Sequence, residues 1–384
     1  MDKKVVIIFA VVIYLLSAFA SYSYFSASSV STSKYEEPVT EAGGSTVDGG
    51  PKTEPCPMNG QLYSKEQKKL WEKRRPLGIM VQNNTEARPQ SGLSAADIIH
   101  EAVAEGGITR FLTIYYCEQP EIVGSVRSAR IYFIKLLQGF GNNPLYAHVG
   151  GANMAGPADA IGELQDLEWW GYNDLDQFAV PFPNYWRDYD RLPNRATEHT
   201  VYTNTQKLWE FAAKTRKLTN VDKKGVAWDE DWEQWKFAED AKESARGNIK
   251  TISFSFWDNS LGSDYKVVWN YDIASNSYLR VNGGKKHIDL DTGKQLTAKN
   301  IVVVFSDESI ADDGYEHGQH LLYDLLGEGD ALVIQNGKSI KASWSKPKEE
   351  RMMRFENEDG DEIEFVRGKI WIEVVPTGNK VTAK

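Results

Sequence analysis

One change of texture along the 384 residues constrains the fold more than any other feature. From Leu77 to Leu218, short apolar runs alternate with amphipathic segments, whereas from Ile249 onward only β-prone runs separated by turn residues remain. In the first part, "LGIMV", "DIIHEAVAE", "TRFLTIYYC" and "PLYAHVGG" read as strands, and "SKEQKKLWEKRR", "ARIYFIKLLQGF", "ANMAGPADAIGELQDL" and "NTQKLWEFAAKTRKL" as helices, the last with Asn204 as its cap. Strands alternating with helices predict an α/β domain. In the second part, "TISFSF", "NIVVVFS", "DALVIQNGKSIKASW" and "KIWIEVVP" are strand-like, and Asn282-Gly283, Asn336-Gly337 and Asp359-Gly360 fall at hairpin turns. The fold class expected is therefore an α/β N-terminal domain, 56–218, followed by a mainly antiparallel β C-terminal domain, 249–384. The charged, Trp-bearing stretch 219–248 has no clear period and reads as the linker between them.

Ahead of these domains, Val5 to Phe25 carries no charge and follows Lys3 and Lys4. About 20 apolar residues suffice to span a bilayer, and the charge bias places the rest of the chain outside the cytoplasm. Cleavage after Ala18-Phe19-Ala20 is the alternative, and it too exports the chain, as a secreted protein. Residues 1–25 are thus an anchor or signal segment and the membrane contact, and the Ser/Thr/Gly/Glu-rich residues 26–55 are a stalk that cannot bury enough apolar surface to fold. Cys56 and Cys117 are the two cysteines. Export permits them to pair, while a buried thiol at Cys117 is the other reading. A net charge of −10 without a basic block argues against nucleic acid as a partner.

The polar residues that invite a functional reading cluster around "EGGITRF" and "GSVRSAR". If 109–117 is a strand, Arg110 shares a face with Leu112, Ile114 and Tyr116, and its guanidinium needs a carboxylate, Glu105 or Glu101, or an anionic ligand. Arg127 and Arg130 lie near the expected start of the next helix, which Ser125 or Ser128 would cap; a helix N-terminus and two arginines together suit phosphate or carboxylate. Asp97 and Glu105 are carboxylates that could satisfy these arginines internally. Arg187 and His199 come from the loop-like "YWRDYDRLPNRATEH", in which Asp190 and Arg191 read as solvated, and His148 stands before Gly150-Gly151 as either a core histidine or a site residue. The chain contains no G-x-S-x-G, C-x-x-C or P-loop string, and Glu316-His317 with His320 is too small a cluster for a metal site, so no cofactor is expected.

"RPLGIMVQNN", "ARPQSGLSAADIIHEAVAEGGITRF", "GSVRSAR", "AHVGG", "GEGDALVIQNGKSIKASW" and "GKIWIEVVP" resemble the YerB-like family, which carries a pair of DUF3048 domains. The resemblance spans nearly everything after Pro55 and implies a bacterial envelope protein. Two departures stand out: no Cys directly follows the apolar run to receive a lipid, and Glu198-His199-Thr200 stands where members tend to have Pro-His-Asn. The combined expectation is an extracytoplasmic, membrane-anchored protein whose arginines bind an anionic cell-wall glycan or lipid phosphate. The alternatives are an envelope enzyme, similar in layout to the LytR-CpsA-Psr glycopolymer transferases with Asp97 holding a divalent cation, or a hydrolase, or an interaction module for another envelope protein in which every arginine is internally paired.

Overall fold

Ser64 and Gln67 start the first helix, α1 (Lys65–Trp71), by a reciprocal cap: Ser64 Oγ accepts the Gln67 amide at 3.3 Å and Gln67 Oε1 accepts the Ser64 amide at 3.0 Å. The computed structural model describes residues 50–257, 262–315 and 319–384. The apolar segment 5–25, stalk residues 26–49 and Glu316-His317 lie outside the described residues. Among the described residues, no helix is long and apolar enough to cross a membrane.

The strands of the first part are β1 (Leu77–Gln82), β2 (Ile98–Glu105), β3 (Ile108–Tyr115), β4 (Leu145–His148) and β5 (Asp174–Asp176). The helices α2 (Ile131–Leu137), α3 (Ala160–Asp166) and α4 (Thr205–Phe211) are each 7 residues. Helix α3 is shorter than its sequence pattern because Asp159, accepting the Gly162 amide at 2.8 Å, caps it only after the Gly156-Pro157 break. In the second part, β6 (Thr251–Phe254), β7 (Val267–Asp272) and β8 (Ser277–Asn282) build a six-stranded sheet with short flanking strands, followed by β9 (Asn300–Ser306), β10 (Gly327–Gln335), β11 (Lys338–Lys346), β12 (Arg354–Asn357) and β13 (Ile370–Pro376). The protein is mostly β with a few short helices.

Ten strands from both parts form one sheet, in the order β12-β11-β10-β9-β13-β2-β3-β1-β4-β5. The seam is a parallel pairing of β13 with β2, Ile370 opposite Ile98 through Glu373 opposite Glu101. "NIVVVF" and "LGIMV" therefore belong to the same sheet, and the expected separation into two modules does not describe the fold. Nor is 219–248 a free connection. Phe237-Ala238 pairs with Phe365-Val366, and Trp235 is buried against Phe355 and Phe365 while its indole donates to the Met353 carbonyl at 2.8 Å. Aromatic burial at irregular spacing holds this strap without any helical or strand period.

The sheet is covered on both faces. Helix α2 lies so close to β1 that a side chain on Gly78 would sit 2.8 Å from Leu137, which is why glycine occupies the second position of this buried strand. On the opposite face, Phe111, Trp371, Glu101 and Glu373 meet the six-stranded sheet through Trp269 and Arg280. Arg280 is fully buried between Glu101 (2.5 Å) and Glu373 (2.6 Å), with its Nε–H donated to His287 Nδ1 at 3.1 Å. Cys56 and Cys117 are disulfide-bonded at the far end of β3, 61 residues apart in sequence, and closure of a loop of that length contributes about 4 kcal/mol in the chain-entropy model.

The Arg280 cluster yields a directional prediction. Arg280→Met strands two buried carboxyls and should cost about 3–5 kcal/mol of unfolding free energy. Glu373→Gln keeps a hydrogen-bonding group of the same shape beside Arg280 and should cost much less. Urea unfolding of both variants decides this, and equal losses would mean that the guanidinium is not the element joining the sheets.

Candidate functional site

The hairpin between β2 and β3 turns at Gly106 (φ 58°) and Gly107 (φ 86°), with an irregular register between Val103 and Glu105. Both glycines occupy the left-handed region that side-chain-bearing residues avoid. This turn sets Glu105 beside Arg110 at the mouth of β3. One carboxylate then serves two guanidiniums: Arg110 Nη2 is 3.2 Å from Glu105 Oε2, and Arg130 Nη2 contacts Glu105 Oε1. The remaining arms donate to backbone, Arg110 Nη1 to the Ser128 carbonyl at 2.8 Å and Arg130 Nη1 to the Ala129 carbonyl at 2.6 Å. Arg110 and Arg130 are struts, and the sequence reading of Glu105 as an internal partner holds for them. Glu101, the other carboxylate considered, faces the opposite side of the sheet and pairs with Arg280.

Arg127 differs. Its amide donates to the Met80 carbonyl on β1 at 2.9 Å and its carbonyl accepts from Val149, just past β4, at 3.1 Å, so its backbone is pinned between two strand ends. Its half-buried guanidinium has no hydrogen bond or ion pair among the described residues. Burial, then the charge of Arg110 and more weakly that of Arg187, push its pKa below the usual arginine value against the opposing pull of Glu198 and Tyr315. Arg187 reaches the same place from the short strand Tyr185–Arg187: it sits opposite Val201, whose carbonyl accepts the Val126 amide at 2.7 Å. Arg187 is exposed and gives one arm to the Thr197 carbonyl at 2.6 Å.

His199 flanks the pair. Its Nδ1 is 3.0 Å from Gln82 Oε1 and its Nε2 3.6 Å from Glu86, and burial, aided by Arg127, lowers its pKa despite Glu198 and Glu86. Ser125 Oγ donates to the His199 carbonyl at 2.7 Å, so that hydroxyl is committed to the backbone. Neither Ser125 nor Ser128 caps α2. The helix begins at Ile131 with Arg130 in the N-cap position and no side-chain cap, and at seven residues it offers no helix-terminus anion site. Arg191, expected in solvent, instead donates Nε–H to Ser91 Oγ at 2.9 Å and pairs with Asp291.

Two expected site residues stand apart from the arginines. Asp97 is buried at the disulfide end of β3, where its carboxylate accepts the Tyr116 and Cys117 amides at 2.7 and 3.0 Å and the Asn59 amide group at 3.0 Å. Burial lifts its pKa to about 7 against those donors. Arg110 and Tyr116 are six residues apart on one extended chain, roughly 20 Å, so Asp97 cannot share a site with Arg110. The donors also occupy the oxygens that a cation would need. His148 has no solvent exposure; it sits beneath the site, with Nδ1 2.8 Å from the Gly150 carbonyl and Nε2 2.7 Å from Asp174. Both of these acceptors call for an N–H, which describes an imidazolium. Burial opposes the charge, but the hydrogen bond and charge of Asp174, with Asp176, raise the pKa above its ordinary value. The Gly150 carbonyl also accepts the Ala129 amide at 2.9 Å, so His148 braces the loop that carries Arg127. Gln82, Glu86, Glu198, Asp174 and Tyr315 surround the site without any signal in the sequence that would have singled them out.

The fold and this cluster define a class: a large mixed sheet, covered on both faces, that presents at its strand ends an arginine, Arg127, without a side-chain partner among the described residues. Residues 61–219 match the family described as protein of unknown function DUF3048, N-terminal domain, and residues 257–372 match its C-terminal domain. The chain belongs to this family. It is similar to the Bacillus subtilis (strain 168) protein named "Putative lipoprotein YerB", 33% identical over 312 residues, covering 79% of this chain and 82% of that protein. The crystal structure of the YerB protein from Bacillus subtilis is similar to it with a TM-score of 0.68 at 29% identity, over 86% of this chain and 100% of that one.

His148 makes stability depend on pH in a defined direction. Because its folded pKa is raised, its stabilisation is complete below its ordinary value of about 6.5 and is lost as pH rises through the folded value. Relative to the double variant His148→Gln/Asp174→Asn, the wild type should have its largest advantage in urea midpoint at pH 5.5 and a smaller one at pH 8.5. An advantage that grows with pH would mean a neutral His148.

Proposed function

We propose that this chain is an exported cell-envelope protein that binds a phosphate- or carboxylate-bearing envelope ligand through Arg127, with Arg187 completing the grip. The observation that carries this reading is the unpaired, half-buried guanidinium of Arg127 beside two like charges. A desolvated cation next to other cations is unfavourable unless an anion sits among them, and a planar guanidinium is suited to bidentate recognition of phosphate or carboxylate. Arg110 and Arg130, which share the one carboxylate of Glu105, set the walls rather than the contact. The envelope location draws on the lipoprotein name of the similar Bacillus subtilis protein, on the uncharged run Val5–Phe25, and on the Cys56–Cys117 disulfide, which suits an oxidising compartment. Of the alternatives, the transferase-like reading loses Asp97 to the far end of β3, and the fully paired module loses Arg127.

Pyrophosphate is the probe. Arg127→Ala should weaken its binding about 10- to 100-fold, the loss of one charge-assisted hydrogen-bonding group of about 1.5–3 kcal/mol, with little change in Tm. Arg127→Lys should recover part of it, since a point charge lacks the planar fork. Arg110→Ala should instead lower Tm by several degrees. Calorimetric titration with thermal melts checks all three, and an Arg127→Ala protein that melts early but binds normally makes Arg127 a strut. The export reading has its own check: a tag placed after Lys384 should be cleaved by protease added to intact cells, and a protected tag would overturn it.

A further inference from the structure

We infer that the anion gripped by Arg127 is the phosphate of a lipid in a bilayer surface, and that Phe178 and Phe182 enter the apolar edge of that bilayer. This rests on the proposed role of Arg127 as an anion-binding group and adds the identity of the ligand. Phe178 and Phe182 are 75% and 79% exposed, on the loop after β5. The loop is anchored rather than trailing: the Gln177 amide donates to the His148 carbonyl at 2.9 Å, the Ala179 and Val180 amides both donate to the Asp176 carbonyl at 2.9 Å, and Asn184 Nδ2 donates to the Pro181 carbonyl at 2.7 Å. A well-braced segment that holds two phenyl rings in water is unexplained by its own packing, because burying each ring would gain about 1.5–3 kcal/mol.

These rings adjoin the arginine site. A Cβ on Gly150 would lie 3.5 Å from the Phe178 ring, and Gly150 is the next residue after Val149, which donates to the Arg127 carbonyl. Phe182 precedes the strand that delivers Arg187, and Lys207 reaches the Pro183 carbonyl at 3.5 Å beside it. Cations and apolar rings are thus placed side by side on one rim, the pairing that an interfacial lipid site needs: electrostatic attraction to anionic head groups and shallow insertion of aromatic side chains. Phenylalanine has no polar tip, so two exposed phenyl rings beside cations suit the apolar boundary beneath a layer of anionic head groups.

The test uses the full chain on nanodiscs, with a nitroxide on Phe178→Cys and, as control, on Lys341→Cys, whose parent side chain is 77% exposed. In phosphatidylglycerol discs the label at 178 should become several-fold more accessible to oxygen than to a water-soluble nickel chelate, relative to the label at 341. The effect should be small in phosphatidylcholine discs and should be lost when Arg127→Ala is added. Only that pattern supports the inference; a label at 178 that stays in water, or that immerses equally in both lipids, overturns it. Pyrophosphate titration of the same full chain separates the two levels: binding with a water-exposed label removes the lipid and leaves the anion site, whereas absence of binding together with lipid-independent immersion removes both.

Discussion

Arg280 joins the two halves of the molecule. It comes from the six-stranded sheet and is clamped by Glu101 on β2 and Glu373 on β13, the two strands whose parallel pairing makes the ten-stranded sheet continuous. Two carboxyls and one guanidinium leave an excess negative charge in a dry interior. Protonation relieves it: burial, offset in part by Arg280 and reinforced by the neighbouring Glu101, pushes the Glu373 pKa well above the carboxylate range. His287 fits the same logic. Its Nδ1 accepts from Arg280 and its Nε2 lies 2.7 Å from Gln90 Oε1, so it is a neutral ring whose pKa is driven down by burial and by Arg280. Trp269 adds a donor to Glu373 at 3.1 Å, and Trp371 lies under the Arg280 guanidinium at 4.3 Å. A buried ion cluster of this kind contributes little net stability over an apolar replacement, whereas removing one partner leaves the others buried and uncompensated.

That cluster also separates what is legible in the sequence from what is not. "DIIHEAVAE" and "KIWIEVVP" each place a glutamate inside an apolar run, and "SYLRVN" places an arginine inside another. Each is legible as a buried charge in need of a partner. Alternation with period two identifies strands and their faces, and it locates β1, β2, β3, β9 and β13 near their observed bounds. It carries nothing about which strand lies beside which. The pairing of Ile98 with Ile370 crosses some two hundred and seventy residues and depends on the shape of both sheets together, so a change in local texture at Ile249 looks like the end of one unit when it is the middle of a shared sheet. The strap 219–248 is illegible for a related reason, because single tryptophans dropped into separate pockets leave no period.

At the candidate site the sequence offers proximity, and the fold supplies the discrimination. Arg110, Arg127 and Arg130 lie within twenty-one residues and look alike. The Gly106-Gly107 turn then brings Glu105 onto two of them, and the geometry of a single carboxylate, two oxygens for two guanidiniums, leaves the third without a partner among the described residues. Asp97 fails as a site residue because a strand separates its ends by its length. Asp97 lies level with the last residues of β3 and Arg110 with the first, a relation implicit in an antiparallel hairpin once its turn is fixed.

The support beneath Arg127 shows how the structure keeps an unfavourable group in place. A free arginine side chain on a loose loop would rotate into solvent and lose any pre-arranged fit. Here the chain on either side of it is tied to β1 by the Met80 carbonyl, to the Val201 strand by Val126, and to the end of β4 by Val149 and Gly150. The last of these ties is held in turn by a charged His148, whose Nδ1–H donates to the Gly150 carbonyl and whose Nε2–H donates to Asp174. The cation is therefore held near Arg110 and Arg187 by backbone bonds whose geometry does not depend on the side chain itself. Mutual repulsion therefore cannot relax by moving the loop, and under the proposed function an anion between the guanidiniums is what would offset it.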